Sequence, residues 1–208
     1  MVSMRDGLQT ATHPVLGPHV GSYTPADVTN VPTLTGRRTT LRPVDESDYD
    51  FLYALGCDEE LGFRWRHRGE TPSPDAFHQG LWTGILAQFV ICANADSQRV
   101  GHVFVYNANF RFQTAFIAMA VKPSLVRRGW TLEAGKMFIN YTFSMWPLRK
   151  LYAEVPEFNF AQFSSGTGKA FQIEGCMRDH EFYAGRYWDL LILALYREAY
   201  MKTTPLDS

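Results

Sequence analysis

The sequence predicts a mixed α/β or α+β domain with three layers, because strands and helices follow one another in no regular order. Runs such as QFVICAN at 88–94 and AFIAMAV at 115–121 have the length and the apolar content of strands. Between such runs the apolar residues recur at helical spacing, as in DESDYDFLYALGC at 45–57. With 208 residues, of which 46% are hydrophobic, the chain can bury the core of one such domain.

Each predicted element follows from a local pattern. TTLRPV alternates as a strand does, and Asp45 or Ser47 can cap the helix that follows it. A polar turn, ADSQ, separates two early strands, and Ala184–Gly185 turns a final strand pair. In chain order the predictions are strand 39–44, helix 45–57, a basic aromatic loop at 62–74, helix 74–87, strands 88–94, 99–107 and 112–121, a helix after residue 129, strand 151–155, a helix near 160–171, and a strand pair within 174–200 that a short helix closes.

Composition divides the chain into an N-terminal extension at 1–36, a folded domain at 37–201 and a tail at 202–208. The first residues lack the continuous apolar stretch of a secretory signal. No run of ~18 apolar residues is present to span a membrane. We therefore expect a cytoplasmic protein without a membrane partner.

Charge and cysteine content argue against two classes of function. A net charge of -1 leaves no excess of Lys and Arg for a phosphate backbone, which argues against nucleic-acid binding. The three cysteines, Cys57, Cys92 and Cys176, lie far apart, and no Cys/His cluster has the spacing of zinc ligands. We expect buried free thiols and no metal site.

The segment VKPSLVRRGWTLEAGKMFINYTF at 121–143 carries the strongest functional signal. A strand leads into a turn with Arg127, Arg128 and Gly129, and an amphipathic helix follows. The N–H groups and the dipole at the start of a helix favour an anion such as a diphosphate, and guanidinium groups suit phosphate. A surface loop with solvated arginines explains the same pattern, and one glycine does not decide between the two.

Several blocks of the chain, in this order, resemble the GNAT N-acetyltransferases, in particular their RimJ/RimL-like branch. The likeness spans Thr39 to Tyr200, although Val126, Arg127 and Thr131 depart from the residues usual in the family's pyrophosphate loop. The blocks that match are TLRP near the start, V-K-P at 121–123, VRRGWT at 126–131, Glu133–Ala134, the set Asn159, Phe171, Glu174 and Gly175, and RDH…G…WD near the end.

The resemblance implies a mostly antiparallel central sheet of about seven strands flanked by helices. The fourth and fifth strands, here AFIAMAV and LYAEV, would splay apart. An acyl-CoA, acetyl-CoA in first place, would bind in the gap, with its pantetheine along the fourth strand and its pyrophosphate in the loop. The residues implied to bind it are Met119, Ala120, Val121, Val126, Arg127, Arg128, Gly129, Trp130, Thr131 and Asn159.

The general base is the first open question of the chemistry. Many relatives carry a glutamate on the fourth strand, where this chain has FIA at 116–118. Glu154 on the next strand is one candidate, and a strand carboxylate paired with a cation is its alternative. His102 is the other candidate because its unperturbed pKa suits a base, and a core histidine is its alternative.

The acid that protonates the leaving thiolate is the second open question. The positions that relatives use hold Gln162 and Gly166 in this chain. Ser165, or its neighbour Ser164, is the nearest substitute, and a serine-rich turn is the alternative. Orientation of two bound reactants without an acid can supply roughly 7–11 kcal/mol.

The basic aromatic loop would frame the acceptor side of the site. Its arginines could receive an acidic acceptor or a carrier-protein surface, and nearby aromatic residues could add apolar walls. A solvated loop with one packed tryptophan is the alternative. The candidate acceptor residues are Arg64, Trp65, Arg66 and Tyr106, with Arg68, Trp82 and Trp188 beside them.

The predicted function is transfer of an acyl group from acyl-CoA to a primary amine. The acceptor would be a small molecule or a peptide, with a specialised small molecule favoured. Two alternatives stay open: a GNAT-shaped binding or sensor module without catalysis, and transfer from an acyl carrier protein. Self-association into a homodimer is also open.

Overall fold

An eight-stranded sheet forms the centre of the computed structural model, which describes residues 32–162 and 170–203, without the side chains of residues 64, 126–128, 162 and 203. The strand order is β1-β2-β3-β4-β5-β6-β8-β7, and every neighbouring pair is antiparallel except β5–β6. The strands are β1 Leu34–Thr35, β2 Thr39–Pro43, β3 Ile85–Ala93, β4 Arg99–Asn109, β5 Thr114–Val121, β6 Lys150–Pro156, β7 Gln172–Tyr183 and β8 Arg186–Tyr196.

Four α-helices accompany the sheet in the described ranges: α1 Tyr49–Gly56, α2 Pro74–Gly80, α3 Trp130–Met145 and α4 Arg197–Thr203. Short 3-10 helices lie at Glu46–Asp48, Gly62–Arg64, Pro123–Arg128 and Glu157–Gln162. The parallel pair β5–β6 requires a crossover, and α3 supplies it. None of the helices in this part of the chain is both long and apolar enough to cross a membrane.

The core has one part on each face of the sheet, so the domain has three layers. On one face, Phe138 and Phe143 of α3 are fully buried against strand residues such as Ile91. On the other face, Leu52 of α1 and Phe77 of α2 pack on β3. Alternation along the strands separates these two sets.

A buried carboxylate joins β2, β4 and the start of α1. Asp48 is fully buried and accepts hydrogen bonds from Arg42 at 2.6 and 2.7 Å, from Arg99 at 2.6 Å and from the Asp45 backbone N–H at 2.9 Å. Burial alone would raise the pKa of Asp48, but the hydrogen bonds from Arg42, Asp45 and Arg99 outweigh it and lower the pKa below its ordinary 3.8. Asp45 caps this segment, as predicted, by accepting from the Ser47 backbone N–H.

Most predicted elements are present, but the second helix was predicted too long. It ends at Gly80, and residues 85–87, which were predicted as helix, begin β3. Gly84, with a φ of +70°, lies in the turn between α2 and β3, and Ile85 and Ala87 pair with β4. Burial of this apolar run against both helical layers favours the strand.

Three further expectations differ from the structure. The predicted helix near 160–171 is described only as the 3-10 turn at Glu157–Gln162, and residues 163–169 lie outside the described part of the chain. β1 is an eighth strand that was not predicted, and it pairs with β2 from within the predicted extension. All three cysteines are free, but only Cys92 is buried, whereas Cys57 and Cys176 are exposed.

Candidate functional site

The central feature of the site is a gap between the two parallel strands. β5 and β6 pair at only three positions, Thr114 with Lys150, Ala115 with Leu151 and Phe116 with Tyr152. Beyond these positions, residues 117–121 remain paired with β4 on the other side, and residues 153–156 remain paired with β8. The predicted splay of AFIAMAV and LYAEV is therefore confirmed. It leaves a strand edge of β5 facing the gap, where an extended ligand can pair with it.

A turn at the open end of the gap leads from β5 into α3. Gly129 has a φ of +75°, and no side chain among the described residues caps α3. A Cβ at Gly129 would lie 2.8 Å from Nη1 of Arg38, so this guanidinium lies against the glycine. Oγ1 of Thr131 is buried and has no hydrogen-bond partner in the described part of the chain. An uncapped helix start, a close cation and an unpaired hydroxyl fit an anionic group.

Glu133 holds the start of α3 against β2. Its carboxylate accepts from the backbone N–H groups of Arg37, at 2.8 Å, and Arg38, at 3.0 Å, and from Oγ1 of Thr39 at 2.8 Å. Burial alone would raise the pKa of Glu133, but these hydrogen bonds, with Thr39 first, lower it overall. The glutamate therefore fixes the helix and the Arg38 segment in one arrangement.

These observations agree with the result of a comparison with protein families. The model of the acetyltransferase (GNAT) domain matches residues 38–164, which include the β5–α3 turn and the gap. The chain belongs to the GNAT acetyltransferase family. GNAT enzymes use acetyl-CoA or another CoA thioester as the acyl donor.

Curated and solved relatives support the same fold. Spermidine N(1)-acetyltransferase of Escherichia coli (strain K12) is 20% identical over 164 residues, which cover 77% of this chain and 87% of that enzyme. A spermidine N-acetyltransferase structure from Vibrio cholerae, in complex with CoA and spermine, has a TM-score of 0.69 at 20% identity and covers 80% of this chain and 99% of that one. A GNAT acetyltransferase from Bacillus anthracis has a TM-score of 0.64 at 17% identity, with coverage of 80% and 99%.

The residues that the GNAT resemblance assigned to CoA lie along the gap and its turn. Met119, Ala120 and Val121 form the end of β5, and Val126, Arg127 and Arg128 belong to the 3-10 turn, although their side chains are not described. Gly129 and the first α3 residues, Trp130 and Thr131, complete that turn. Asn159 lies across the gap, in the 3-10 helix after β6.

Glu154 lies on the face opposite α3, two residues beyond the last pairing of β5 with β6. The phenol of Tyr106 is close to it: burial, together with the Glu154 carboxylate, raises the pKa of Tyr106 to about 12. Arg68 approaches Glu154 to 3.4 Å and also pairs with Glu181 of β7. The geometry thus brings together Glu154 and Tyr106, which the sequence predicted for different roles.

His102 is in a different environment from Glu154. It is fully buried on β4, and its Nε2 lies 3.1 Å from Oε1 of Gln88. Burial, with a smaller effect of the Arg66 charge, lowers its pKa to about 3. These contacts favour the alternative of a core histidine. The other catalytic candidate, Ser165, and its neighbour Ser164 lie outside the described residues.

The predicted acceptor residues divide into packed and open positions. Trp65 is buried against Phe104. Arg66 donates to the backbone carbonyls of Leu81, at 2.5 Å, and Gly80, at 3.2 Å. Trp82 is exposed. Trp188 donates to the Tyr183 carbonyl at 3.0 Å. The Arg64 side chain is not described, so its assignment stays a prediction.

Sequence reasoning missed a group of residues on β6, β7 and β8. Lys150 is buried and lies 2.8 Å from Glu174, which also accepts from the hydroxyl of Tyr196. Next to this group is an open pocket of about 240 Å³, lined by Phe116, Tyr152, Glu174, Gly175 and Ile192. A larger open pocket of about 680 Å³ lies by α4, away from the gap. A prediction of the β6–β8 register could have placed Lys150 opposite Tyr196. No local sequence pattern indicates the bulge between Ile173 and Gly175 that places Glu174 beside them.

No three side chains of His, Cys, Asp or Glu come close enough to hold a metal ion within residues 32–162 and 170–203.

Proposed function

We propose that this GNAT enzyme transfers an acetyl group from acetyl-CoA to the primary amine of a small molecule. The observation that supports it most is the three-pair parallel contact of β5 with β6, which opens toward an uncapped α3 and the left-handed Gly129. Bound acetyl-CoA supplies the activated thioester, and the residues of this chain hold it and receive the amine.

On the donor side, the free edge of β5 from Met119 to Val121 would pair with the pantetheine, as an added strand does. The pyrophosphate would lie at the start of α3, where backbone N–H groups and the helix dipole favour negative charge. Arg38, which lies against Gly129, adds a positive charge there. Arg127 and Arg128 of the same turn are proposed for this role from their sequence positions.

On the acceptor side, Glu154 is the proposed base. An amine attacks only when it is neutral, so a carboxylate must accept a proton from the incoming ammonium. Glu154 stands just beyond the point where the strands part, on the face that the amine would approach. Tyr106 lies near this carboxylate, and burial, which raises its pKa to about 12, keeps its phenol neutral and able to donate to Glu154 when the site is occupied.

Among the described residues, the geometry does not favour any one as the acid that protonates the leaving thiolate. Ser165 therefore stays the proposed acid, on sequence grounds. The binding sites also place donor and acceptor on opposite sides of one gap, and such orientation can supply roughly 7–11 kcal/mol of the barrier.

Several finer assignments also stay proposals. The RimJ/RimL-like branch is supported by the order of the blocks from Thr39 to Tyr200. A cytoplasmic location is supported by three free cysteines. The two similar spermidine acetyltransferases support an amine acceptor of low molecular mass. A catalytically silent module and a carrier-protein donor are the competing functions that the following experiment separates.

The test combines binding and turnover in the full chain. We expect acetyl-CoA to bind in calorimetry with micromolar affinity, and free thiol to be released when a panel of primary amines is added. Arg128→Glu should weaken acetyl-CoA binding, because it places a negative charge beside the pyrophosphate. Binding without turnover of any amine would indicate the silent module, and turnover only with an acyl carrier protein would indicate the other donor.

A second prediction concerns the left-handed turn. Gly129→Ala should weaken acetyl-CoA binding about 5- to 30-fold. A left-handed non-glycine residue costs about 1–2 kcal/mol, so the free turn relaxes to another shape, and binding must restore the strained turn against a Cβ that displaces Arg38. The measurement is the dissociation constant of acetyl-CoA by calorimetry.

Gly185→Ala is the matched control for this variant. Gly185 has a φ of +80°, but a Cβ there meets nothing within 4 Å, and it lies in the β7–β8 turn. Both variants pay the same backbone strain, and only Gly129→Ala should change the affinity for acetyl-CoA. Equal affinities in the two variants would exclude the turn from the cofactor site.

A further inference from the structure

We propose that the acceptor is a monoamine with an apolar or aromatic body, and that Arg68 is the residue that excludes polyamines. This inference rests on the proposed function, because it concerns the acceptor side of the same site. It separates this chain from the spermidine acetyltransferases that it resembles.

The first observation is the position of the Arg68 guanidinium. It pairs with Glu181 of β7 through Nη1 and lies 3.4 Å from Glu154 of β6 through Nη2. Arg68 has a φ of +49°, and Gly69 after it has a φ of +89°. This left-handed turn in the 62–74 loop directs the Arg68 side chain toward β6 and β7. A resident cation therefore lies between the two carboxylates that an ammonium group would use.

The second observation is the charge balance of this face. Three carboxylates project onto it from β6 and β7: Glu154, Glu174 and Glu181. Arg68 pairs with two of them, and the buried Lys150 pairs with Glu174 at 2.8 Å. Among these five side chains, three negative and two positive charges leave about one negative charge for an acceptor, and the nearby Arg66 reduces it further. A ligand with three ammonium groups would have to compete with the tethered Arg68 for Glu154 and Glu181, or separate the pair of the buried Lys150 with Glu174, which is costly.

Arg66 makes the face still less attractive for a polycation. It lies behind Phe104, with its guanidinium carbon 5.2 Å from the ring centroid, and its hydrogen bonds go to backbone carbonyls. Burial lowers the pKa of Arg66 from its ordinary value, yet a guanidinium stays charged at neutral pH. The positive charge of Arg66 therefore remains next to Phe104, close to the acceptor side of the site.

The third observation is the aromatic surface beside Glu154. Phe104, Tyr106, Phe116 and Tyr152 lie side by side across β4, β5 and β6, with successive ring centroids 5.4–5.5 Å apart. Phe116 and Tyr152 also line the open pocket of about 240 Å³. A pocket of this size and lining suits one ring or a short apolar chain. A single ammonium on such a body would reach Glu154 while the body covers the rings of Phe116 and Tyr152 that line the pocket.

The test compares 2-phenylethylamine, which has one nitrogen, with spermidine, which has three. For the wild-type enzyme with saturating acetyl-CoA, we expect kcat/KM, measured by thiol release, to be at least tenfold higher for 2-phenylethylamine. In Arg68→Asn we expect this ratio to shift about tenfold toward spermidine, because Glu154 and Glu181 lose their cation. Asn is chosen because it tolerates a left-handed backbone.

Arg178→Asn is the control. Arg178 is an exposed cation that pairs with Asp189, and Asp189 follows Trp188, so it points to the other face of β8. This variant should keep the wild-type ratio. A preference of the wild type for spermidine, or an unchanged ratio in Arg68→Asn, would overturn the proposal.

Two readouts distinguish failure of this inference from failure of the proposed function. If acetyl-CoA binds in calorimetry and spermidine is the better substrate, the enzyme is an N-acetyltransferase and the monoamine inference is wrong. If acetyl-CoA binds but neither amine is acetylated, the inference is also wrong. If acetyl-CoA does not bind and no amine releases thiol, the proposed function fails and the inference falls with it.

Discussion

Glu154→Gln should lower kcat by about 100- to 10,000-fold, the range typical for loss of a general base. Glutamine keeps the size of the side chain and its contact with Tyr106, but it cannot accept a proton from the incoming ammonium. Because Glu154 lies on β6, away from the β5–α3 turn, the dissociation constant of acetyl-CoA should stay within about twofold of the wild-type value.

The measurement is steady-state turnover with the preferred amine, together with calorimetry of acetyl-CoA. Glu198→Gln serves as the control, since Glu198 is an exposed residue of α4 that pairs with Lys202. A Glu154→Gln enzyme with nearly full kcat would show that another group takes the proton. A matched loss of kcat and of acetyl-CoA binding would indicate damage to the fold instead.

Asp48→Asn should destabilise the domain by about 3 kcal/mol. The fully buried carboxylate holds two arginines, Arg42 and Arg99, and removal of its charge leaves Arg42 with only Asp45 and takes from Arg99 the carboxylate with which it pairs. We expect the low end of the 3–5 kcal/mol range for broken buried pairs, because both arginines are partly exposed and regain some hydration. Urea unfolding followed by circular dichroism measures the difference.

The same carboxylate should make the stability of the domain depend on acid. Hydrogen bonds lower the pKa of Asp48 below 3.8 in the folded protein, so its ionised form stabilises the fold at neutral pH. That contribution is lost as the pH falls from about 3.8 through the lower pKa of the folded state. Asp48→Asn should therefore lose less stability than the wild type over this interval. Parallel acid dependence in both proteins would contradict the role of Asp48.

Local patterns were sufficient to predict most of the fold. The alternating run at 39–44, the capping Asp45 and the turn at Ala184–Gly185 each depend on neighbours in sequence, and each is present. Residues 85–87 were assigned wrongly for the same reason. Their apolar run suits a helix or a strand, and only pairing with β4, which comes later in the chain, decides for the strand.

The donor side of the site was predictable because its function depends on consecutive residues. A strand end, a glycine turn and a helix start together make the place for a diphosphate, and they lie within residues 121–133. The acceptor side depends on long-range contacts. Arg68 meets Glu154 and Glu181, which are 86 and 113 residues later in the chain, through a left-handed backbone that no local pattern indicates.

The order of the strands has a consequence for how the chain is synthesised. β6 obtains seven antiparallel partners from β8, which follows all the other strands of the described sheet in the chain, but only three parallel partners from β5. A nascent chain can complete the β1–β5 meander soon after Val121 leaves the ribosome. Its fifth strand then keeps its whole outer edge bare, including residues 114–116, until β6 has been made and β8 holds it in the sheet. During that interval the future cofactor cleft is an unprotected template for strand pairing with other chains, so stalled or truncated products of this protein should aggregate at that edge.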